Sequence, residues 1–269
     1  MDKKTFQTIC VAVFAGMLFL QAIVAGGVAS EEMGMVMDAM RSLRRSDTIF
    51  YDIITFSGEE ETHQKIWVDF LSEQWVEELT VTDDDGIVVS WERFFDGKRE
   101  WINDGQSGWD MTDSKGEAPG MTALTYFPLG ADDIEKTECV KSADRVKLVF
   151  TIAGDRLEKR RREILAQMAE ETADGGMNEL SHRQNEAARF KDVVMTYVLD
   201  KKGELREIQF AMQVTRPQLV LRGGGKYELG EDETYRMGYN AKVIRVNSSK
   251  TAKKIKNVCK QFSELNCEE

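Results

Sequence analysis

Few side chains in this 269-residue chain could perform catalysis. The two histidines, His63 and His182, lie in charged or polar stretches, and the chain has no Gly-x-Ser-x-Gly nucleophile motif. Residues 222–226 read Arg-Gly-Gly-Gly-Lys, which lacks the spacing and the hydroxyl residue of a phosphate-binding loop. We therefore predict a protein that is not an enzyme and that needs no cofactor.

Two acidic triplets, at residues 59–61 and 83–85, are the candidates for weak binding of a divalent cation. Gly86 follows the second triplet, but an EF-hand loop with this glycine at its sixth position would begin at Val81, whose side chain cannot ligate calcium. Acidic turns between strands are usually solvated, so we predict no metal site.

The charge balance excludes one class of partner. The chain carries 47 acidic and 36 basic side chains, for a net charge of −11, and such a protein repels nucleic-acid phosphates. The exception is a basic stretch near the C-terminus, formed by Lys250, Lys253, Lys254, Lys256 and Lys260. These lysines could contact an anionic membrane surface, or they could solvate one face of a helix that docks on the rest of the protein.

The first thirty residues predict export. Lys3 and Lys4 precede 21 residues without charge (9–29), and residues 25–30 are nearly all small. This is the layout of a signal peptide cleaved after Ala29 or Ser30, and the alternative is an uncleaved N-terminal membrane anchor. Either reading places the remainder, 31–269, in the periplasm or on the extracellular face of the membrane.

An oxidising compartment would make the cysteines relevant. Cys139, Cys259 and Cys267 follow the predicted leader. On one continuous helix, Cys259 and Cys267 would lie ~12 Å apart along the axis, which is too far for a disulfide. A Cys259–Cys267 bridge therefore needs the helix to end near Phe262, and the alternative is three free thiols.

Two helices should flank a region of strands. Apolar residues at helical spacing, Met33, Val36, Met37, Met40 and Leu43, predict a helix over 31–45. Ile255, Val258 and Phe262 predict a second over 250–265, and a charged helical insertion is expected at about 155–191. Segments rich in β-branched and aromatic residues predict strands between them, at 48–57, 64–71, 74–82, 86–95, 99–104, 109–113, 145–153, 192–200, 204–214, 226–230 and 233–247.

Short strands with acidic or glycine turns form antiparallel meanders, so we predict an α+β fold with one large antiparallel sheet of about ten strands. A twisted sheet of this width curls. Helices across the concave side of such an unclosed barrel would enclose an apolar space.

Two hairpin motifs carry a family resemblance. The first is Phe-Asp-Gly-Lys-Arg-Glu-Trp at 95–101 with Trp109 beyond it, and the second is Tyr-Val-Leu-Asp-Lys-Lys-Gly-Glu-Leu at 197–205. With the predicted layout of 31–247, they make the chain resemble the LolA/LolB-like superfamily of extracytoplasmic lipoprotein-carrier folds. The resemblance implies an unclosed β-barrel whose concave face holds acyl chains under a helical lid.

We therefore expect a non-enzymatic binding protein for a lipid or another apolar ligand. Its cavity candidates are the methionines of the first helix and the large side chains of the strands: Met33, Met37, Met40, Trp67, Phe70, Trp75, Trp101, Phe150, Tyr197 and Phe210. The alternative is a membrane-tethered sensor or protein-interaction module of the same fold, with its pocket filled by its own side chains.

Overall fold

The computed structural model describes residues 30–266 except for 83–85, 104, 106–107, 113–117, 122–123, 125–129, 160–161, 163–179, 181–182, 185 and 223–225. The predicted leader, apart from Ser30, lies outside the described residues, as do most of the predicted insertion, His182 and Cys267.

Eleven strands form one antiparallel sheet in the order β6-β5-β4-β3-β2-β1-β11-β10-β9-β8-β7. The sheet is not closed, and β6 and β7 are its edges among the described residues. The predicted fold class is therefore confirmed. The strands are β1 (Thr48–Ser57), β2 (Glu60–Asp69), β3 (Gln74–Thr82), β4 (Val88–Phe95), β5 (Glu100–Asn103), β6 (Trp109–Thr112), β7 (Ile134–Lys141), β8 (Arg145–Ile152), β9 (Arg189–Asp200), β10 (Leu205–Arg222) and β11 (Lys226–Val246).

The strand predictions were wrong in several places. Strand β2 begins at Glu60, inside the predicted acidic turn, and β10 runs to Arg222, eight residues past its predicted end at 214. Strand β7 (Ile134–Lys141) was not predicted, because this edge strand is mostly exposed and its sequence has no apolar alternation. Strand β11 is continuous, although the acidic residues Glu231 and Asp232 suggested a break. Near these residues the β10–β11 hairpin extends past its neighbouring strands, so its side chains need not be apolar on either face.

Helix α1 (Glu31–Arg44) forms where the apolar spacing predicted it. The Ser30 Oγ accepts a hydrogen bond from the backbone N–H of Met33 at 3.3 Å, which caps the first turn. Acidic residues open the helix and arginines close it, as the helix dipole favours. The face that α1 buries against the sheet consists of Met33, Val36, Ala39, Met40 and Leu43.

The sheet buries large apolar side chains on both faces. We call the face that packs against α1 the inner face, to which Tyr51 and Ile53 of β1 belong, and the opposite one the outer face, to which Phe50 belongs. Helix α2 (Ser249–Asn266) packs on the outer face through Ile255 and Val258. The sequence predicted that the helices cover one side of the sheet and enclose a cavity there. Only α1 covers that side, because α2 covers the opposite face. The reason is that adjacent aromatic residues in the strands, such as Phe50 and Tyr51 in β1 or Phe94 and Phe95 in β4, point to opposite faces, so both faces need a cover.

Two glycines test these packing arrangements. A Cβ at Gly34 of α1 would meet no atom within 4 Å, so Gly34→Ala should raise the free energy of unfolding by about 0.5–1 kcal/mol through helix propensity. A Cβ at Gly238 of β11 would lie 2.0 Å from the backbone oxygen of Phe210, so Gly238→Ala should lower it by about 1–3 kcal/mol. Urea unfolding of both variants measures the two free energies of unfolding. Equal changes in the two variants would contradict the open space at Gly34 and the close approach at Gly238.

Candidate ligand-binding site on the inner face

The predicted cavity residues divide between the two faces. Most of them belong to the inner core or pack against it: Met33, Met40, Phe70, Trp75, Phe150, Tyr197 and Phe210. Met37 is half-buried on α1. Trp67 and Trp101 lie in the outer core under α2, so they cannot line one cavity with the others. Side chains alternate between faces along a strand, and Trp67 lies between the inner residues Ile66 and Val68.

The inner core is apolar and closely packed. Ile53, Phe150 and Met195 are fully buried in it, and the ring of Phe150 packs edge-on against Tyr197 with centroids 5.9 Å apart. The Tyr197 hydroxyl donates to the sulfur of Met195 at 2.8 Å. Burial raises the pKa of Tyr197 and of Tyr239 well above the usual value, so both hydroxyls stay neutral at physiological pH.

A short segment after β6 completes the cover that α1 provides. Met121 and Leu124 are buried in the inner core, and the backbone oxygen of Pro119 accepts a hydrogen bond from the Tyr51 hydroxyl at 2.6 Å. Gly120 has a φ of +66°, and a Cβ there would lie 2.3 Å from Ile53 Cδ1. The backbone thus approaches the sheet closely at a position that requires glycine.

One part of the inner face is polar and buried. Glu77 of β3 is 0% exposed and Glu100 of β5 is 2% exposed, and Arg93 of β4 lies between them. The Arg93 Nη1 donates to Glu77 Oε2 at 2.8 Å, while Nε (2.8 Å) and Nη2 donate to Glu100 Oε1. Gln64 Nε2 donates to Glu77 Oε1 at 2.6 Å. The guanidinium also stacks over the Trp75 ring, 5.4 Å from its centroid. We call Gln64, Glu77, Arg93 and Glu100 the inner polar cluster.

The inner polar cluster holds one cation and two carboxyl groups. Burial lowers the pKa of Arg93, but the charges of Glu77 and Glu100 outweigh this effect, so the pKa is raised overall and the guanidinium stays charged. Glu100 Oε2 is buried and has no hydrogen-bond partner among the described residues. A buried acceptor without a partner costs about 1–3 kcal/mol, and more when it is charged.

The sequence held a signal for this cluster that the prediction missed. Glu77 alternates with Trp75 and Leu79 in β3, which places a carboxyl group on the same face as two buried apolar side chains. Its partners Arg93 and Glu100 could be identified only from the register, which sets Glu77 opposite Arg93 and Glu100 opposite Phe95.

A half-open depression of about 470 Å³ lies on the outer face. Its lining residues Val194 and Thr196 alternate along β9 with Val193, Met195 and Tyr197 of the inner core. It is therefore not the apolar cavity that the sequence predicted. Its lining mixes polar and apolar side chains, namely Asp192, Val194, Thr196, Gln209, Ala211, Met212, Gln213 and Arg236.

The other candidates lie away from the inner face. His63 Nε2 is 2.6 Å from Asp52 Oδ1 on the outer face. Cys139 is exposed on β7, whereas Cys259 is half-buried at the outer core, where burial raises the pKa of its thiol. Helix α2 continues to Asn266, so the helix end near Phe262 that the Cys259–Cys267 bridge needs does not occur; Cys267 itself is not described. Among the described residues, no three potential metal ligands come together.

The basic C-terminal helix docks on the sheet. Phe262 packs against the rings of Trp101 and Trp109, and Lys254 Nζ lies 2.8 Å from Glu78 Oε1. The remaining lysines of the basic stretch are exposed: Lys250, Lys253, Lys256 and Lys260. The docked apolar residues agree with the second interpretation of the sequence, in which the helix packs on the rest of the protein and its lysines face solvent. Contact of the exposed lysines with a membrane surface stays a prediction.

No protein-family model matches the chain, and no curated protein matches its sequence. In the part of the chain that the structure describes, none of the helices has the length and apolar character needed to cross a membrane. The resemblance to the LolA/LolB-like superfamily stays a prediction.

The inner polar cluster should respond sharply to loss of its cation. Arg93→Met would leave Glu77 and Glu100 buried without a counter-charge, so we expect the free energy of unfolding to fall by about 3–5 kcal/mol in urea titrations. Arg93→Lys keeps the charge but lacks the planar fork, so its loss should be smaller. A loss below about 1 kcal/mol for Arg93→Met would show that the cluster contributes little.

Proposed function

We propose that the protein is a non-enzymatic, extracytoplasmic binding protein that holds the apolar chain of a lipid, or another apolar ligand, against the inner face. The observation that carries the proposal is the construction of the cover. The apolar inner face of an unclosed sheet is covered by α1 and by Ala118, Met121 and Leu124, and in the described part of the chain none of these pairs with a strand. The predicted leader and the family resemblance support the location and the class of ligand.

Helix α1 can leave the inner face without breaking a strand ladder. It is joined to β1 through Arg45, Ser46 and Asp47 alone, and it contacts β9 and β10 by side-chain packing. Two of its buried side chains, Met33 and Met40, are methionines, which adapt readily to different neighbours.

The free energy of removing α1 from the inner face is comparable to the free energy gained by binding an acyl chain there. Exposing four large buried side chains of α1 costs about 6–12 kcal/mol, at about 1.5–3 kcal/mol each. Burying an acyl chain of about 15 methylene groups gains about 12 kcal/mol, at about 0.8 kcal/mol each. A long chain can therefore take the place of α1 on the inner face, whereas a short one gains too little.

A second candidate function is a membrane-tethered sensor or protein-interaction module that takes up no ligand. The observation that favours it is the filling of the inner face by the protein's own residues, since Val36 of α1 is 0% exposed and Leu124 is equally buried. The two candidates differ in whether the protein takes up a long apolar chain.

Tryptophan quenching tests the first candidate and identifies the face. Trp75 is buried in the inner core and Trp67 in the outer core. We expect methyl 9,10-dibromostearate, whose head group is uncharged, to quench the fluorescence of the purified protein, because its bromine atoms would come close to Trp75. Trp75→Phe should lower the quenched fraction at least twofold, and the matched control Trp67→Phe should leave it unchanged.

Absence of quenching, together with a ligand-free mass in native mass spectrometry after incubation with the same ester, would reject ligand binding and favour the interaction module. Loss of quenching in Trp67→Phe alone would place the ligand on the outer face instead.

A further inference from the structure

The inner polar cluster has one hydrogen-bond acceptor left over. Of the four carboxylate oxygens, Glu77 Oε1 accepts from Gln64, Glu77 Oε2 accepts from Arg93, and Glu100 Oε1 accepts from Arg93 twice. Glu100 Oε2 is buried and has no partner among the described residues. Buried carboxylate oxygens in native proteins are nearly always hydrogen-bonded, so this atom calls for a donor.

The charge of the cluster defines what kind of donor fits. The cluster sets two carboxyl groups against the single guanidinium of Arg93, so its formal charges leave one negative charge in excess. A neutral donor would satisfy the oxygen but not the charge, whereas a primary ammonium group supplies both a positive charge and three N–H donors. An anionic group would be repelled by Glu100.

The position of Glu100 connects the cluster to the apolar surface. Glu100 lies on β5, next to the edge strand β6. On the inner face it is flanked by Phe95 on β4, and the inner core includes Trp75 two strands away. A polar group at Glu100 would therefore lie one strand from the edge of the sheet, and a chain attached to it could reach the apolar inner core.

We propose that Glu100 binds a primary ammonium group at the polar end of a long-chain amphiphile, and that Arg93 positions the Glu100 carboxylate for it. This inference rests on the proposed function, because the chain of the same ligand would occupy the inner face. The class of ligand is then an alkylamine or a lipid whose head group carries a primary amine.

Binding of matched twelve-carbon amphiphiles tests the inference. Dodecylamine, dodecyltrimethylammonium and dodecanol share a chain length and differ only in the head group. Each is titrated calorimetrically into the purified protein, the two cations below their critical micelle concentrations and dodecanol below its solubility limit. Dodecylamine should bind at least tenfold more tightly than dodecanol, because only it supplies the charge and the donor. It should also bind at least tenfold more tightly than dodecyltrimethylammonium, which has the charge without an N–H donor.

Variants separate the site from the net charge of the protein. Glu100→Gln should abolish the preference for dodecylamine and leave the affinity for dodecanol within twofold. Glu228→Gln changes the net charge equally at an exposed position, where the side chain is 63% exposed, and should keep the preference.

The possible results distinguish failure of the ammonium site from failure of the proposed function. Equal binding of the three amphiphiles, or an equal effect of Glu228→Gln, would overturn the inference while the proposed function stands, since the chains still bind. Failure of all three to bind, together with failure of methyl 9,10-dibromostearate to quench, would overturn the proposed function as well. The comparison of the three head groups on the unmodified protein decides the question even where Glu100→Gln does not fold.

Discussion

The pairing of β1 with β11 joins the two halves of the sheet, and the remaining architecture depends on it. The other strand pairs that the structure describes connect neighbours in the sequence, so without this ladder the sheet would separate into β1–β6 and β7–β11. Asn247 holds the end of the ladder. Its backbone N–H donates to Thr48 O at 2.8 Å, and its Oδ1 accepts from the N–H of Asp47 at 2.7 Å. This contact joins residues 200 positions apart, and each terminal helix needs it before the sheet surface on which it packs is complete. Contacts between residues so distant in sequence favour slow folding.

The same pairing explains where the helices lie. Helix α1 directly precedes β1 and α2 directly follows β11, so both begin or end at the middle of the sheet. Asn247 has a φ of 51°, in the left-handed region that asparagine tolerates, and at this residue the chain leaves β11 for the outer face. One helix therefore covers each face near the centre of the sheet, and the free edges β6 and β7 are the strands farthest from that centre.

The two faces of the sheet are built differently. The outer core, where Lys254 lies 5.1 Å from the ring centroid of Trp67 and Phe262 packs on Trp101, fastens α2 to β1–β5 with aromatic contacts. The inner face instead combines a helix that pairs with no strand and a polar cluster near the open edge. A buried ion cluster is weak evidence for stability, because burying the charges offsets most of their attraction. Under the proposed function, its position beside an apolar surface would serve recognition of a ligand.

The sequence by itself determined the local elements. The helix over residues 31–45 and the strands at 48–57 and 74–82 were predicted closely, because apolar spacing and acidic turns act within a few residues. Tertiary structure alone decided which face each side chain joins: Trp67 and Trp75 have the same chemistry but lie on opposite faces, according to their place in the strand alternation and the register. It also decided that Glu77, Arg93 and Glu100 meet, because side chains on three strands become neighbours only when hydrogen-bond register brings them together across the sheet.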